Sequence, residues 1–287
     1  MTPQKSIDEK LQKVVARAGL ASRREAERWI SAGRISVNGK IATLGDRVKS
    51  EDQIRVDGNL LREENTAVAS VKFLMYNKPE GEVSTNKDPG GRPTVFDSLP
   101  KLHRGRWIQI GRLDVNTCGL LLFTNDGELA NRLMHPSSEI QREYAVRVFG
   151  EVTDDMKARL RKGVQLEDGI AAFNSIKPAG GEGINRWYHV TLGEGKNREV
   201  RRLWESQEGL RVSRLIRLRY GICSLDRGLP RGRWRSLTSK ETKEIMKSVK
   251  YQAEVAEDSK AHGKRTIKQR DVKNKSSQKT NVWKNKR

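Results

Sequence analysis

The segment around Asp114 constrains the fold of this chain more than any other. Two apolar runs, residues 107–110 and 120–124, predict strands, and the second has no polar alternation, which is typical of a strand buried on both faces. Asp114 lies between them, flanked by Gly111 and Gly119. A carboxylate at the rim of a core can be partly desolvated and still reach a substrate. On local features alone, the simpler interpretation is a turn aspartate that hydrogen-bonds to its own backbone.

The charge of the chain favours a polyanionic partner. Its 57 lysine and arginine residues outnumber 36 acidic residues, which gives a formal charge of +21 over 287 residues. A field of that size attracts nucleic acid and speeds its encounter. An anionic membrane is the competing partner, but the sequence shows no basic amphipathic helix and no apolar run of about 20 residues. We therefore expect a nucleic-acid partner and no membrane contact.

The cysteine and histidine residues are few and scattered. Cys118 and Cys223 are far apart, so they form no CxxC pair, and the four histidines have no zinc-ligand spacing. We expect no metal site and no cofactor. The first ten residues are polar and lack a signal-peptide pattern, so the expected location is the cytoplasm.

Residues 5–66 predict a small independent module of two helices followed by strands. Apolar residues recur at helical spacing over residues 11–18, and Ser22 and Glu25 have the spacing of a capping box. Asn38-Gly39 is a strong hairpin-turn signal.

Basic residues cluster on and after the second predicted helix. A solvated helix face balanced by two glutamates is one interpretation, and RNA binding is the other. The candidate RNA-binding residues of this module are Arg23, Arg24, Arg28, Arg34 and Lys40.

The rest of the chain predicts a second domain and a tail. After a polar linker at residues 62–70, residues 71–250 mix strands and helices, which indicates an α+β fold with a largely antiparallel sheet and helices on its faces. Residues 254–287 are rich in lysine and arginine and poor in apolar residues. We expect this basic tail to be disordered when free and to add RNA affinity without sequence specificity.

Two stretches carry a family resemblance. Residues 11–40, LQKVVARAGLASRREAERWISAGRISVNGK, resemble the S4 RNA-binding domain, and residues 111–127, GRLDVNTCGLLLFTNDG, resemble the GRLDxxTxGLLLxTNDG signature of the RsuA-type pseudouridine synthases. Three more segments resemble motifs of that family in the same order: NKPEG at 77–81, REY at 142–144 and EGKNREVRR at 194–202. The resemblance covers about residues 5–250.

The resemblance implies that the chain isomerises a uridine of ribosomal RNA to pseudouridine without a cofactor. Asp114 corresponds to the catalytic aspartate of the family. It could attack C1′ of the sugar, attack C6 of the base or act through a glycal, and the sequence leaves these routes open. Tyr144 corresponds to the tyrosine that packs against the target base. We expect Arg201 to pair with Asp114, with Arg198 as the alternative.

The resemblance also implies a set of RNA contacts around this centre. The 23S RNA of the large subunit is the expected target, at a stem-loop or bulge where unpairing costs little. Leu215 is expected to form the floor under the uracil. The other expected substrate-binding residues are Arg112, Lys78, Lys196, Arg198 and Arg202.

Two other functions fit parts of the sequence. A non-catalytic S4-type RNA-binding or ribosome-associated protein would explain the charge and the first module, but it would not need the motif around Asp114. A methyltransferase would need a glycine-rich loop between a strand and a helix, and the glycines of residues 180–183 are not followed by a helical pattern. No exposed apolar helix stripe requires a dimer, so we expect a monomer.

Overall fold

The computed structural model describes residues 8–61, 70–103 and 105–253. The expected basic tail lies outside these residues, as does all of the expected linker except residue 70. Within the described residues, no helix has the length and apolar character needed to cross a bilayer.

The amino-terminal module, residues 8–61, has two helices and six short strands. Strands β2, β3, β5 and β6 form an antiparallel sheet in the order β3-β2-β5-β6, and β1 pairs with β4. The elements are β1 (Glu9–Lys10), α1 (Leu11–Arg17), α2 (Arg23–Ser31), β2 (Ile35–Val37), β3 (Lys40–Ile41), β4 (Arg47–Val48), β5 (Ile54–Val56) and β6 (Asn59–Leu60).

Local sequence signals explain how this module forms. Asn38 and Gly39 both have positive φ angles, +50° and +81°, as the predicted two-residue hairpin between β2 and β3 requires. Ser22 Oγ accepts the Glu25 amide at 3.1 Å and caps α2. Only this half of the predicted capping box forms, because the Glu25 carboxylate accepts from Trp29 Nε1 within the same helix.

A nine-stranded sheet forms the second part of the chain. Its main order is β13-β14-β10-β15-β9-β7-β17, with β8 paired to β9 and β16 paired to β15. All of these pairings are antiparallel except that of β9 with β15, so the predicted antiparallel-rich α+β fold is confirmed. The strands are β7 (Phe73–Lys78), β8 (Ile108–Ile110), β9 (Cys118–Thr124), β10 (Arg142–Phe149), β13 (Ser175–Pro178), β14 (Asn185–Leu192), β15 (Arg211–Tyr220), β16 (Cys223–Ser224) and β17 (Trp234–Ser236), and β11 (Val164–Leu166) with β12 (Gly169–Ala171) form a separate hairpin.

Both faces of the large sheet are covered, as the unbroken apolar run of β9 predicts. Leu121 and Phe123 pack into a core on one face, while Leu120 and Leu122 pack into a core on the other. All seven residues of β9 are therefore buried. The helices of this part are α3 (Gly127–Met134), α4 (Asp154–Lys162), α5 (Glu199–Glu205) and α6 (Ser239–Ser248), with a 3₁₀ turn at Pro136–Ser138.

The parallel pairing of β9 with β15 depends on a glycine. Gly119 has a φ of +100°, and a Cβ atom built on it would lie 2.4 Å from the Arg217 carbonyl oxygen. No real Cβ tolerates that distance from backbone. Gly119 therefore lets the start of β9 and the middle of β15 approach each other.

We expect Gly119→Ala to lower the free energy of unfolding by about 3 to 5 kcal/mol, because an unfavourable φ and a backbone clash add together. Gly169→Ala is the matched control, since Gly169 also has a positive φ, +106°, but a Cβ atom built on it would meet no other atom within 4 Å. It should cost about 1 to 2 kcal/mol. Urea unfolding of both variants measures the difference, and equal losses would contradict the close-approach argument.

Arg235 of β17 and Glu241 of α6 join the last helix to the edge of the sheet. The guanidinium donates to Glu241 Oε1 at 2.8 Å and to Oε2 at 3.0 Å, and the same carboxylate accepts the amide and hydroxyl of Thr238. These contacts, with that of Arg235 first, lower the pKa of Glu241 from 4.5 to about 2. The carboxylate thereby completes the capping box of α6.

The lowered pKa of Glu241 predicts a pH-dependent contribution to stability. A carboxylate whose pKa is lower in the folded state contributes its full stabilisation above its unfolded-state pKa. This contribution to the free energy of unfolding is lost as the pH falls from about 4.5 towards about 2. Glu241→Gln should therefore unfold at a lower temperature than the wild type at pH 7, and the gap should shrink through that window. Glu208→Gln, which changes an exposed glutamate with no ion pair in the described residues, is the control and should show no such trend.

Candidate active site

A cavity of about 680 Å³ opens beside β10 and β15, next to the segment that leads into β9. Most of its wall comes from three places: residues 111–117 before β9, side chains of β10 and β15, and residues 195–200 at the start of α5. Asp114, Tyr144 and Leu215 all line it. The fold thus brings together three residues that lie far apart along the chain.

Asp114 lies at the rim of this cavity. Its side chain is 32% exposed, so it is partly desolvated and still open to a ligand. Arg198 Nη1 lies 3.8 Å from Asp114 Oδ2. Arg198 is the residue before α5 and has a left-handed φ of +47°, a backbone conformation that is uncommon for residues other than glycine.

Arg201 does not form the expected ion pair with Asp114, and the structure gives that contact to Arg198. The Arg201 side chain is buried, with 6% exposure. Its Nη1 and Nη2 atoms each donate at 2.9 Å, to the carbonyls of Val212 and Asn116. Burial is the first cause of its lowered pKa. The reason for the difference is position, since Arg201 lies inside the first turn of α5 and points its guanidinium at backbone.

Lys78 has a buried ammonium group that holds the Asp114 loop. Its side chain is fully buried and does not line the cavity, so it is not positioned to make the RNA contact expected from the sequence. Burial lowers its pKa. The Nζ atom donates over 2.9 to 3.3 Å to the carbonyls of Pro79, Asp114, Val115 and Thr117.

Tyr144 and Leu215 form an apolar part of the cavity wall. Tyr144 is on β10 between β14 and β15, and Leu215 is on β15, paired with Val146 of β10. Both side chains are buried within the larger core and still border the cavity. A flat apolar wall of this kind suits the face of a nucleobase.

The other predicted basic residues of this region divide into two groups. Arg112 is exposed and borders the cavity, and Lys196 borders it while donating to the Ile170 carbonyl at 2.6 Å. Arg202 does not border it. Its guanidinium makes two hydrogen bonds of 2.8 Å with the Asp168 carboxylate.

The site residues predicted from the sequence did not include an arginine pair in the same wall, although one of the pair, Arg142, belongs to the REY motif. The guanidinium groups of Arg142 and Arg217 lie 5.1 and 5.2 Å from the ring centre of Tyr220, and all three residues border the cavity. Arg217 is 2% exposed and donates from Nε to the Leu120 carbonyl at 2.7 Å. Arg217 stands between Ile216 and Leu218, and a charged residue between two apolar ones was the signal that could have identified it.

The predicted RNA-binding residues of the amino-terminal module lie away from this cavity, and none of them borders it. Arg28 pairs with Glu25, and Arg34 pairs with Asp57 while stacking on Trp29 at 4.7 Å. The three that have no such ion pair within the described residues are Arg23, Arg24 and Lys40.

Comparison with known proteins decides the family. Residues 72–206 match the RNA pseudouridylate synthase family, and residues 9–54 match the S4 domain. Ribosomal large subunit pseudouridine synthase B of Salmonella typhi is 64% identical over 238 residues, which cover 82% of this chain and 81% of that protein. The protein of the same name from Haemophilus influenzae is 62% identical over 252 residues, which cover 87% of this chain and 70% of its own. This chain belongs to the RNA pseudouridylate synthase family.

A solved structure supports the same family. One solved chain, described as "Crystal structure of pseudouridylate synthase", superposes with a TM-score of 0.58 and is 28% identical in sequence. The match covers 83% of this chain and 99% of the solved chain. The expected RsuA-type pseudouridine synthase with an S4 domain is confirmed. The sequences of residues 111–124 and 214–221 most resemble those of ribosomal large subunit pseudouridine synthase B, which is the name that both relatives carry. Membership of this family argues against the two alternative functions, a methyltransferase and a non-catalytic RNA-binding protein.

Lys78 generates a prediction for this pseudouridylate synthase. Lys78→Met should remove a hydrogen-bond donor from four carbonyls and should lower the free energy of unfolding by about 2 to 4 kcal/mol. Displacement of the Asp114 loop should lower kcat by about 100-fold. Lys177→Met, an exposed lysine on the edge strand β13, is the control and should stay within about 0.5 kcal/mol of the wild type. A fully active Lys78→Met enzyme would contradict the positioning role.

Proposed function

We propose that this enzyme isomerises one uridine of 23S ribosomal RNA in the large subunit, with Asp114 as its nucleophile. The observation that carries the proposal is the placement of Asp114 at the rim of a cavity that has both a cation and an apolar wall. The relatives are named for the large ribosomal subunit, which supports the choice of RNA. We also propose that it acts as a monomer in the cytoplasm.

The bonds and protons of the proposed isomerisation balance. The N1–C1′ bond breaks, the detached uracil turns, a C5–C1′ bond forms, C5 loses a proton and N1 gains one. No electron is transferred to another molecule, so the chemistry calls for no redox cofactor. Attack at C1′, attack at C6 and the glycal route all begin with the carboxylate of Asp114 against the target nucleotide.

Three groups around Asp114 support this role. Arg198, 3.8 Å away, attracts the carboxylate and can also contact a phosphate. Tyr144 and Leu215 offer the apolar surface on which a uracil can be held and still rotate. A cavity of about 680 Å³ has room for a whole nucleotide.

The remaining residues have supporting roles in the proposal. Arg201 and Lys78 hold the backbone of the Asp114 loop by the hydrogen bonds described above. Arg112, exposed at the cavity rim, contacts the RNA from which the nucleotide is flipped. The module of residues 5–66 binds RNA outside the cavity, and a stem-loop or bulge is the preferred target because its bases unstack at little cost.

Pseudouridine mapping of total ribosomal RNA tests this function. We compare cells with the wild-type chain, cells that lack it and cells with Asp114→Asn. One 23S site should lose its pseudouridine in both deficient strains, and purified Asp114→Asn should bind RNA with nearly unchanged affinity.

Asp154→Asn is the control for that experiment, because Asp154 is an exposed carboxylate at the start of α4. It should leave every site modified. A full set of 23S pseudouridines in the Asp114→Asn strain would disprove the assignment of the nucleophile, and an unchanged 23S map in the deletion strain would disprove the choice of target.

A further inference from the structure

A second cavity, of about 470 Å³, lies between the amino-terminal module and the large sheet. One wall is formed by α1 and the start of α2, with Arg23 and Arg24, and the other by Arg106, Ile108 and the start of α3. It lies on one continuous unit of the fold, which includes residues 8–61 and 105–253.

Arg106 in this cavity has no counterion among the described residues. Its Nε atom is buried and has no hydrogen-bond partner in the described residues, and no carboxylate pairs with its guanidinium there. Burial lowers its pKa, and the nearby charge of Arg23 lowers it further. Arg23 also lacks an ion pair within the described residues. Two like charges without a counterion destabilise the free protein, so a bound anion would stabilise them.

The acidic residues that border the same cavity are already engaged. Glu9 pairs with Lys13 and Arg17. Glu128 pairs with Arg132 at 3.1 Å. Asp126 Oδ1 caps α3, and its Oδ2 accepts the Tyr251 hydroxyl. These acids, Glu9, Asp126 and Glu128, therefore leave Arg23 and Arg106 uncompensated.

Arg106 also connects this cavity to the active site. A third, shallower cavity of about 320 Å³ is bordered by both Arg106 and Arg112. Arg112 in turn borders the active-site cavity. Basic residues thus border a series of cavities that leads from α2 to the cavity of Asp114, and this arrangement suits a polyanion that continues from one cavity to the next.

The junction that carries Arg106 is held closely. A Cβ on Gly19, the residue with a φ of +84° after α1, would lie 2.9 Å from Gly105 Cα. Lys13 also reaches Glu128 at 3.5 Å across the same junction. Backbone contact next to Arg106 fixes its position relative to the amino-terminal module.

We propose that Arg106 and Arg23 together bind a phosphate of the RNA beside the target nucleotide, so that the substrate is held across the junction between the module and the catalytic cavity. The proposal rests on the proposed function, because it assumes an RNA substrate in the active-site cavity. The two arginines act as one site, and Arg112 marks the direction in which the RNA backbone continues.

The test uses the full chain and an in vitro transcript of the 23S segment that contains the mapped uridine. Affinity is measured over a salt series for the wild type, Arg106→Gln, Arg23→Gln and the double variant. Each single variant should bind about 10-fold more weakly at ~100 mM salt, with a slope of log K against log salt reduced by about 1. Because both side chains hold one phosphate, the double variant should lose less than the product of the single losses.

Two further variants separate binding from folding. Arg106→Lys keeps the charge and should retain most of the salt slope. Arg161→Gln removes an exposed arginine of α4 that borders none of the three cavities, and it should bind as the wild type does. The thermal unfolding midpoint of Arg106→Gln should stay equal to that of the wild type or rise, because a repulsion is removed.

Each outcome decides the proposal. An Arg106→Gln enzyme with wild-type affinity and salt slope overturns it, as does a binding loss that follows a lowered unfolding midpoint. If the wild type forms pseudouridine in the transcript while Arg106→Gln binds normally, the proposed function stands and this inference fails. If the wild type forms none, the proposed function fails and takes this inference with it.

Discussion

The geometry of this enzyme depends on the buried ammonium group of Lys78. Four carbonyl oxygens, three of them in the segment around Asp114, accept hydrogen bonds from it. Those of Asp114 and Val115 also accept the amides of Thr117 and Gly81, so the loss of Lys78 would remove one donor from each of the four carbonyls. Arg201 also holds this segment, because its guanidinium donates to the Asn116 carbonyl. A nucleophile of the kind proposed for Asp114 must be held in place by its surroundings, and here two cations hold the backbone of its loop while its side chain stays partly exposed beside Arg198.

The large positive charge of the chain therefore has two separate uses. Arginines such as Arg201 and Arg217 lie inside the protein, where carbonyls and an aromatic ring replace their hydration. Others, such as Arg112 and Arg23, lie at cavity borders without a carboxylate partner among the described residues. Net charge alone cannot separate the two groups, because both contribute equally to it. Burial and hydrogen bonding separate them.

Much of the fold followed from local patterns in the sequence. The apolar run of β9, the helical spacing of residues 11–18 and the Asn38-Gly39 turn each predicted a feature that the structure contains. Helix α6 was not predicted, although Thr238 and Glu241 have capping-box spacing. The order of the strands was also not predicted, because hydrogen bonds between strands far apart in the chain leave no local period.

The sequence by itself determined the family, the two-part organisation and the place of Asp114 within the longest motif, because long motifs and hydrophobic periods are local properties of the chain. Only the tertiary structure decided which arginine lies beside Asp114. Arg198 and Arg201 are three residues apart in one motif, and the left-handed backbone at Arg198 directs one to the carboxylate while the first turn of α5 directs the other to carbonyls. That choice is made by the packing of α5 against β15 and the Asp114 loop, and packing between distant segments cannot be read from their spacing.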